Sequence, residues 1–192
     1  DGEVFWASVT AKIAVIGGEE YIIGIIEDIS ERKANEQELR YKTRAIEHAP
    51  IGVSLSDYDQ EDNPLVYVNE RFEEITGYSP AEAVGENPRI LKSGEMSNAY
   101  YAELWETVTG GQIWEEEVLN KRKDGELYHA HQTIAPVLDE EGTIEAYVAI
   151  QTDITEQKEQ VAEIKRLSEY RRILSEVNQL LVTQEAKPDI LS

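Results

Sequence analysis

Residues 69–95, NERFEEITGYSPAEAVGENPRILKSGE, decide how the rest of the chain reads. Asn69 is placed to cap a turn carrying Phe72 and Ile75, and Gly77 ends it. Ser79, Pro80 and Glu82 then open a second turn, with a capping hydroxyl, proline at the first helical position and a capping-box glutamate. Two helices this short cannot bury their own apolar residues and must close over something larger. The segments on either side alternate like strands, so that larger element is a sheet.

Upstream, Ile51–Ser56 and Leu65–Val68 read as a hairpin across a loop holding Asp57, Asp59, Asp62, Asn63 and Pro64. Downstream, Ser97 or Asn98 starts an amphipathic helix. Its Tyr101, Leu104, Trp105 and Val108 fall at i, i+3, i+4 and i+7, which places Trp105 in the core, and Gly110-Gly111 stops it. Strands over 113–122 and 127–137 meet at Asp124-Gly125, a strong hairpin signal. A looser turn at 139–142 leads to a last strand over 144–153.

The chain also repeats itself. Asp1-Gly2-Glu3-Val4-Phe5-Trp6-Ala7 mirrors Asp124-Gly125-Glu126-Leu127-Tyr128-His129-Ala130, and Asp28-Ile29-Ser30-Glu31 mirrors Asp153-Ile154-Thr155-Glu156. Residues 1–30, with strands from Val4 and from Tyr21, therefore read as the closing hairpin of a preceding copy. A linker helix over 31–47 separates it from the complete copy at 48–156. From 157 to 186 the pattern is helical, with Leu167, Tyr170, Leu174, Val177 and Leu181 forming a heptad seam after a register slip at Val161 and Ile164. This predicts a coiled-coil output helix and a parallel homodimer. Lys187-Pro188 ends the helix, and 187–192 reads as the start of a following segment.

Thirty-nine acidic residues against eighteen basic ones leave a net charge of −21. Nucleic-acid binding needs clustered Lys and Arg and is excluded for this segment. Acidic residues spread along the whole length point to a halophile's cytoplasm, where salt screens self-repulsion. There is no cysteine, hence no disulfide, thiolate metal site or cysteine nucleophile. No apolar run reaches the ~20 residues of a membrane helix. No phosphate-binding Gly loop, phosphoacceptor His context or Ser-His-acid set is present, so the chain reads as a non-enzyme.

Asn69-Glu70-Arg71-Phe72 with Thr76-Gly77-Tyr78, the run Gly85–Leu91, Asn120–Gly125 and the closing Asp153-Ile154-Thr155-Glu156 together resemble a PAS domain. The resemblance covers residues 44–156. It implies an α+β fold, a five-stranded antiparallel sheet with helices on one face, and a long C-terminal helix. It also implies a sensor or relay module in a multidomain signalling protein of histidine-kinase or transcriptional type, covalently linked to an output domain. The alternatives are a flavin (FAD or FMN)-binding redox or light sensor without cysteine adduct chemistry and a ligand-free dimerisation module.

Within the family, Gly85, Asn87, Arg89 and Leu91 are similar to the light-oxygen-voltage flavin sensors, whose adduct cysteine is Pro88 here; proline excludes adduct photochemistry. Asn120 and Gln151 match two flavin-contacting amides of those sensors, while a third amide position is Ala130. Trp114, six residues before Asn120, is similar to the FAD-binding redox-sensor PAS of nitrogen-fixation regulators. The candidate pocket residues are thus Asn87, Arg89, Trp114, Asn120 and Gln151. The residues leave the occupant open between no cofactor and a flavin, FAD or FMN. Strand alternation puts Glu116 on the same inward face as Trp114 and Asn120, where an unpartnered carboxylate is costly. The resemblance makes Ala130 and Gln132 the inward residues, so His129 and His131 share the opposite face; this argues against haem ligation through them and sets them beneath a linker helix or a dimer partner. Gln151, Asp153 and Thr155 are the candidate relay: Thr155 as cap of the output helix, Asp153 paired with a basic residue near the start of the domain.

Overall fold

The chain forms two units, residues 1–50 and 51–192. The computed structural model describes residues 4–58 and 61–185, with side chains at the C-terminal end as far as residue 178. Residues 1–3 of the repeat, Asp59, the Leu181 side chain and the 187–192 segment lie outside the described residues.

In the first unit, β1 (Ala7–Ile16) and β2 (Glu19–Asp28) pair antiparallel around Gly17-Gly18. Both glycines take positive φ, 65° and 88°, as a two-residue hairpin turn requires. The strand starts later than the alternation from Val4 suggests. Trp6 instead uses its carbonyl and amide on Ile29 and Ser30, where the chain turns into α1 (Ser30–Glu47). Val9, Ile13, Ile22 and Ile26 on one face of the hairpin, and Ile16 and Ile25 on the other, are each more than 60% exposed.

The second unit is built on a five-stranded antiparallel sheet in the order β4-β3-β7-β6-β5. The strands are β3 (Gly52–Asp57), β4 (Leu65–Val68), β5 (Trp114–Lys121), β6 (Leu127–Leu138) and β7 (Ile144–Asp153). Strict alternation in β3, with Gly52, Ser54 and Ser56 buried and their neighbours half-buried, fixes which face looks inward. That face carries α2 (Glu70–Thr76), α3 (Pro80–Ala83), a 3-10 turn (Pro88–Leu91) and α4 (Asn98–Thr109).

Asn69 is wholly buried and holds this cover to the sheet. Its side-chain oxygen accepts from the Phe72 amide (3.0 Å) and from the Val53 amide (2.8 Å), while its amide donates to the Ile51 carbonyl (3.0 Å). Gly77, at φ 76°, closes α2, and the Glu82 carboxylate accepts from both the Ser79 amide and its hydroxyl. Phe72 packs with Leu65, Val68, Ala83 and Leu91; Ile75 packs with Val118, Tyr128 and Ala130. Leu104 and Val108 of α4 pack with Trp114 and Tyr147. Trp105 does not join them. It is 43% exposed and lies on the rim, because the buried stripe of α4 runs through Leu104 and Val108.

From Asp153 the chain passes directly into α5 (Thr155–Glu185). No described side chain of α5 is buried, and from Glu159 to Asn178 all are exposed. Leu167 and Leu174 are each 53% exposed, Tyr170 66% and Val177 45%. Among the described residues, no helix is long and apolar enough to cross a membrane.

Candidate functional site

Between the inward face of the sheet and its helical cover lies a cavity of about 290 Å³, near the small end of the range for ligand sites. Its cover side is aromatic, with Tyr100, Tyr101 and Trp105 of α4, and Trp114 of β5 and Tyr147 of β7 meet them from the sheet. Trp114 is buried and stands edge-on to Tyr100 at 5.4 Å, and Trp105 stands edge-on to Tyr147 at 5.9 Å. The Lys92 ammonium sits 3.6 Å over the Tyr101 ring. Burial pushes the hydroxyls of Tyr101 and Tyr147 upward in pKa. The sheet side is polar, with Ser54, Ser56, Asn120, Gln132 and Gln151. Sheet register explains this set, since Gln132 and Gln151 are directly opposed on β6 and β7, and Gly52 opposes Gln151 on β3. A Cβ on Gly52 would lie 3.0 Å from Gln151 Cγ, so glycine there is what lets the glutamine lie flat.

Trp114, Asn120 and Gln151 thus come together on one wall. Asn87 and Arg89 line the mouth with their polar groups spent locally. Asn87 accepts from the Arg89 amide (2.8 Å) and donates to the Asp62 carbonyl, and Arg89 pairs with the Asp62 carboxylate. Glu116 lies on the inward side as alternation requires, yet it is exposed and outside the cavity lining, so its carboxylate stays in water at no desolvation cost. His131 and His129 face away from the cavity, beside α5. His131 Nε2 contacts Glu115 at 3.0 Å, and Lys158 of α5 pairs with Glu117.

Behind the polar wall is a residue that sequence patterning passed over. Tyr128 is fully buried, and its hydroxyl donates to Gln151 Oε1 at 3.1 Å. Burial pushes this hydroxyl up to about 12, despite a hydrogen bond from Asn120. The Arg122 guanidinium lies 4.5 Å over the Tyr128 ring. Arg122 then reaches Asp153 (Nη2–Oδ2 2.5 Å) and the Ile75 carbonyl at the end of α2. The partner of Asp153 is therefore on the β5–β6 turn, not near the start of the domain. Periodicity registers faces, and a bond between residues 31 apart leaves no periodic trace.

The joint with α5 is also built differently from a simple Thr cap. Thr155 Oγ1 accepts from the His129 amide (2.9 Å), and the Thr155 amide donates to Asp153 Oδ1 (2.9 Å). Thr155 ties the helix to β6, while Asp153 takes the free amide at the helix start. A third bond runs from the Ile154 amide to the His129 carbonyl at 2.8 Å. In the first unit the same three bonds recur: Trp6 amide to Ser30 Oγ (3.0 Å), Ser30 amide to Asp28 Oδ1 (2.9 Å) and Ile29 amide to Trp6 carbonyl (2.8 Å).

Comparison with known proteins agrees with this architecture. The chain is 37% identical over 147 residues to the bacterioopsin transcriptional activator of Halobacterium salinarum, covering 76% of this chain and 22% of that protein. It is 37% identical over 110 residues to a nitrogen fixation regulatory protein of Klebsiella oxytoca, covering 57% of this chain and again 22% of the relative. It thus spans about a fifth of the length of these curated relatives. Among solved structures, the LOV domain of a blue-light activated histidine kinase from Erythrobacter litoralis superposes with a TM-score of 0.53 at 32% identity, over 56% of this chain and 99% of that one. Residues 50–156 match the PAS domain family, and the chain belongs to it.

Proposed function

We propose that residues 48–156 act as a sensory and relay module within a longer signalling protein, passing changes in the pocket to α5. The observation that carries this is the short path from cavity to helix. Gln151 lines the cavity and sits two residues from Asp153, whose carboxylate holds Arg122 on one side and the first amide of α5 on the other. The cavity beside Trp114 and Asn120 favours sensing over a domain packed solid as a spacer. α5 then delivers the signal as half of a parallel homodimer along Leu167, Tyr170, Leu174, Val177 and Leu181, toward an output domain of kinase or transcriptional type. The matching joint at Asp28-Ile29-Ser30 supports reading residues 1–30 as the end of a preceding PAS copy with α1 as its linker. In a reporter fusion, Asp153→Ala is expected to change output or dimer geometry while the far-UV circular dichroism stays intact. Unchanged coupling rules the joint out.

A flavin-binding redox or light sensor is the second reading, favoured by the aromatic and amide lining and by the likeness to a LOV domain. Asn120, Gln132 and Gln151 would hold the polar edge of the ring, and Trp114 its flank. A bound flavin would supply blue absorption and a redox state. Pro88 leaves no thiol for an adduct. Absorbance of the purified protein decides: flavin bands in the blue support this reading, and their absence after flavin is added to the folded protein removes it.

A further inference from the structure

Two routes run from the pocket to the start of α5. One is the β7 backbone from Gln151 to Asp153. The other is made of side chains: Gln151 to Tyr128 (3.1 Å), Tyr128 to Arg122 (ring to guanidinium, 4.5 Å), and Arg122 to Asp153 (2.5 Å). We propose that Tyr128 is the positioning residue that couples the pocket amides to the α5 joint, through its hydroxyl on one side and its ring face on the other. This rests on the relay reading above and assigns it a route.

Three features single out Tyr128. It is the largest fully buried side chain of the second unit and does not line the cavity, so it serves the pocket only by holding what does. Its one proton is committed to Gln151 Oε1, so any turn of the Gln151 amide that withdraws the acceptor leaves a buried donor unpaired and forces the ring or its neighbours to shift. The ring cannot shift without disturbing Arg122, whose guanidinium also holds the end of α2 and Asp153. In addition, the residue after Tyr128 is His129, whose amide and carbonyl both bind the start of α5. Tyr128 therefore touches the joint from two directions, through a connected polar network in which the effect of one change depends on the others.

The test is a double-mutant cycle on the full chain, read by amide hydrogen exchange at Ile154, Thr155 and Lys158. Gln151→Leu perturbs the pocket wall. Tyr128→Phe keeps the ring over Arg122 and removes only the hydroxyl, a change small enough for the fold to survive, with near-UV circular dichroism as the check. Gln151→Leu is expected to speed exchange at Thr155 by about two- to tenfold with Tyr128 present, and by much less in the Tyr128→Phe background. An equal effect in both backgrounds overturns the role of Tyr128 and assigns the coupling to the β7 backbone, leaving the relay reading intact. No effect in either background overturns the relay reading and this inference with it.

Discussion

The side chain of Asp153 is 22% exposed and that of Arg122 17%, so this ion pair is largely out of water. Burial pushes the Asp153 carboxyl up. The Arg122 guanidinium and the Thr155 hydroxyl and amide outweigh it and leave the group below its ordinary value of 3.8. A carboxylate lowered in this way adds stability that is present above the ordinary value and is lost as pH falls through the folded one. Breaking the pair should cost roughly 1.5–3 kcal/mol at neutral pH. We expect urea midpoints to separate wild type from Asp153→Asn at pH 7 and to converge as pH falls below the ordinary 3.8 and through the lowered folded value. Taking the difference removes the general gain that acid brings to so acidic a chain. A gap that persists undiminished at low pH would refute the assignment. Gly52 gives a second test, because an added Cβ meets Gln151 Cγ at 3.0 Å and the Phe72 backbone at 3.4 Å. Gly52→Ala should cost about 1–3 kcal/mol in a denaturant titration. A neutral result would mean the β3–β7 wall yields more easily than its packing implies.

Elements with local signals were legible in the sequence. The Asp124-Gly125 hairpin, the Asn69 and Ser79 starts of α2 and α3, and the Gly110 stop of α4 are each set by residues a few positions apart. Faces were less so. Trp105 shares helical spacing with Leu104, and only the placement of α4 on the sheet shows that the buried stripe passes it by. Long-range pairings were silent: Arg122 with Asp153, Tyr128 with Gln151, and the Thr155 hydroxyl with β6 have no periodic signature. For α5 the helix itself was legible, and its heptad spacing carries the dimer proposed above. Leu167, Tyr170, Leu174 and Val177 stand open along one stripe of the chain, and an exposed heptad stripe is stabilised by a second helix. Leu174→Glu should convert a dimer to a monomer in sedimentation equilibrium while leaving the second unit's thermal transition in place. A variant that stays dimeric would move the interface elsewhere.

At the scale of the whole molecule, charge outweighs every local pairing. Eighteen basic residues cannot neutralise thirty-nine acidic ones. The pairs they form on helices, such as Lys33–Glu36, Arg71–Glu74 and Arg172–Glu169, are exposed and local, each worth little. What remains is long-range repulsion on the folded units, and that is the component salt screens best. The Debye length shrinks from about 10 Å at 0.1 M to about 3 Å at 1 M. The excess is not shared evenly, since between Thr155 and Asn178 five acidic residues are matched by five basic ones. This stretch of α5 is therefore neutral and can meet a second copy without electrostatic penalty, while the sheet and its cover hold most of the negative charge. Raising salt from 0.1 M to 1 M should lift the thermal midpoint of the second unit by several degrees and leave the self-association constant nearly unchanged. Calorimetry and sedimentation on the same samples separate the two. A midpoint that falls with salt would mean local ion pairs outweigh the net repulsion. A dimer that tightens steeply with salt would mean the acidic faces, and not the neutral helix, form the contact.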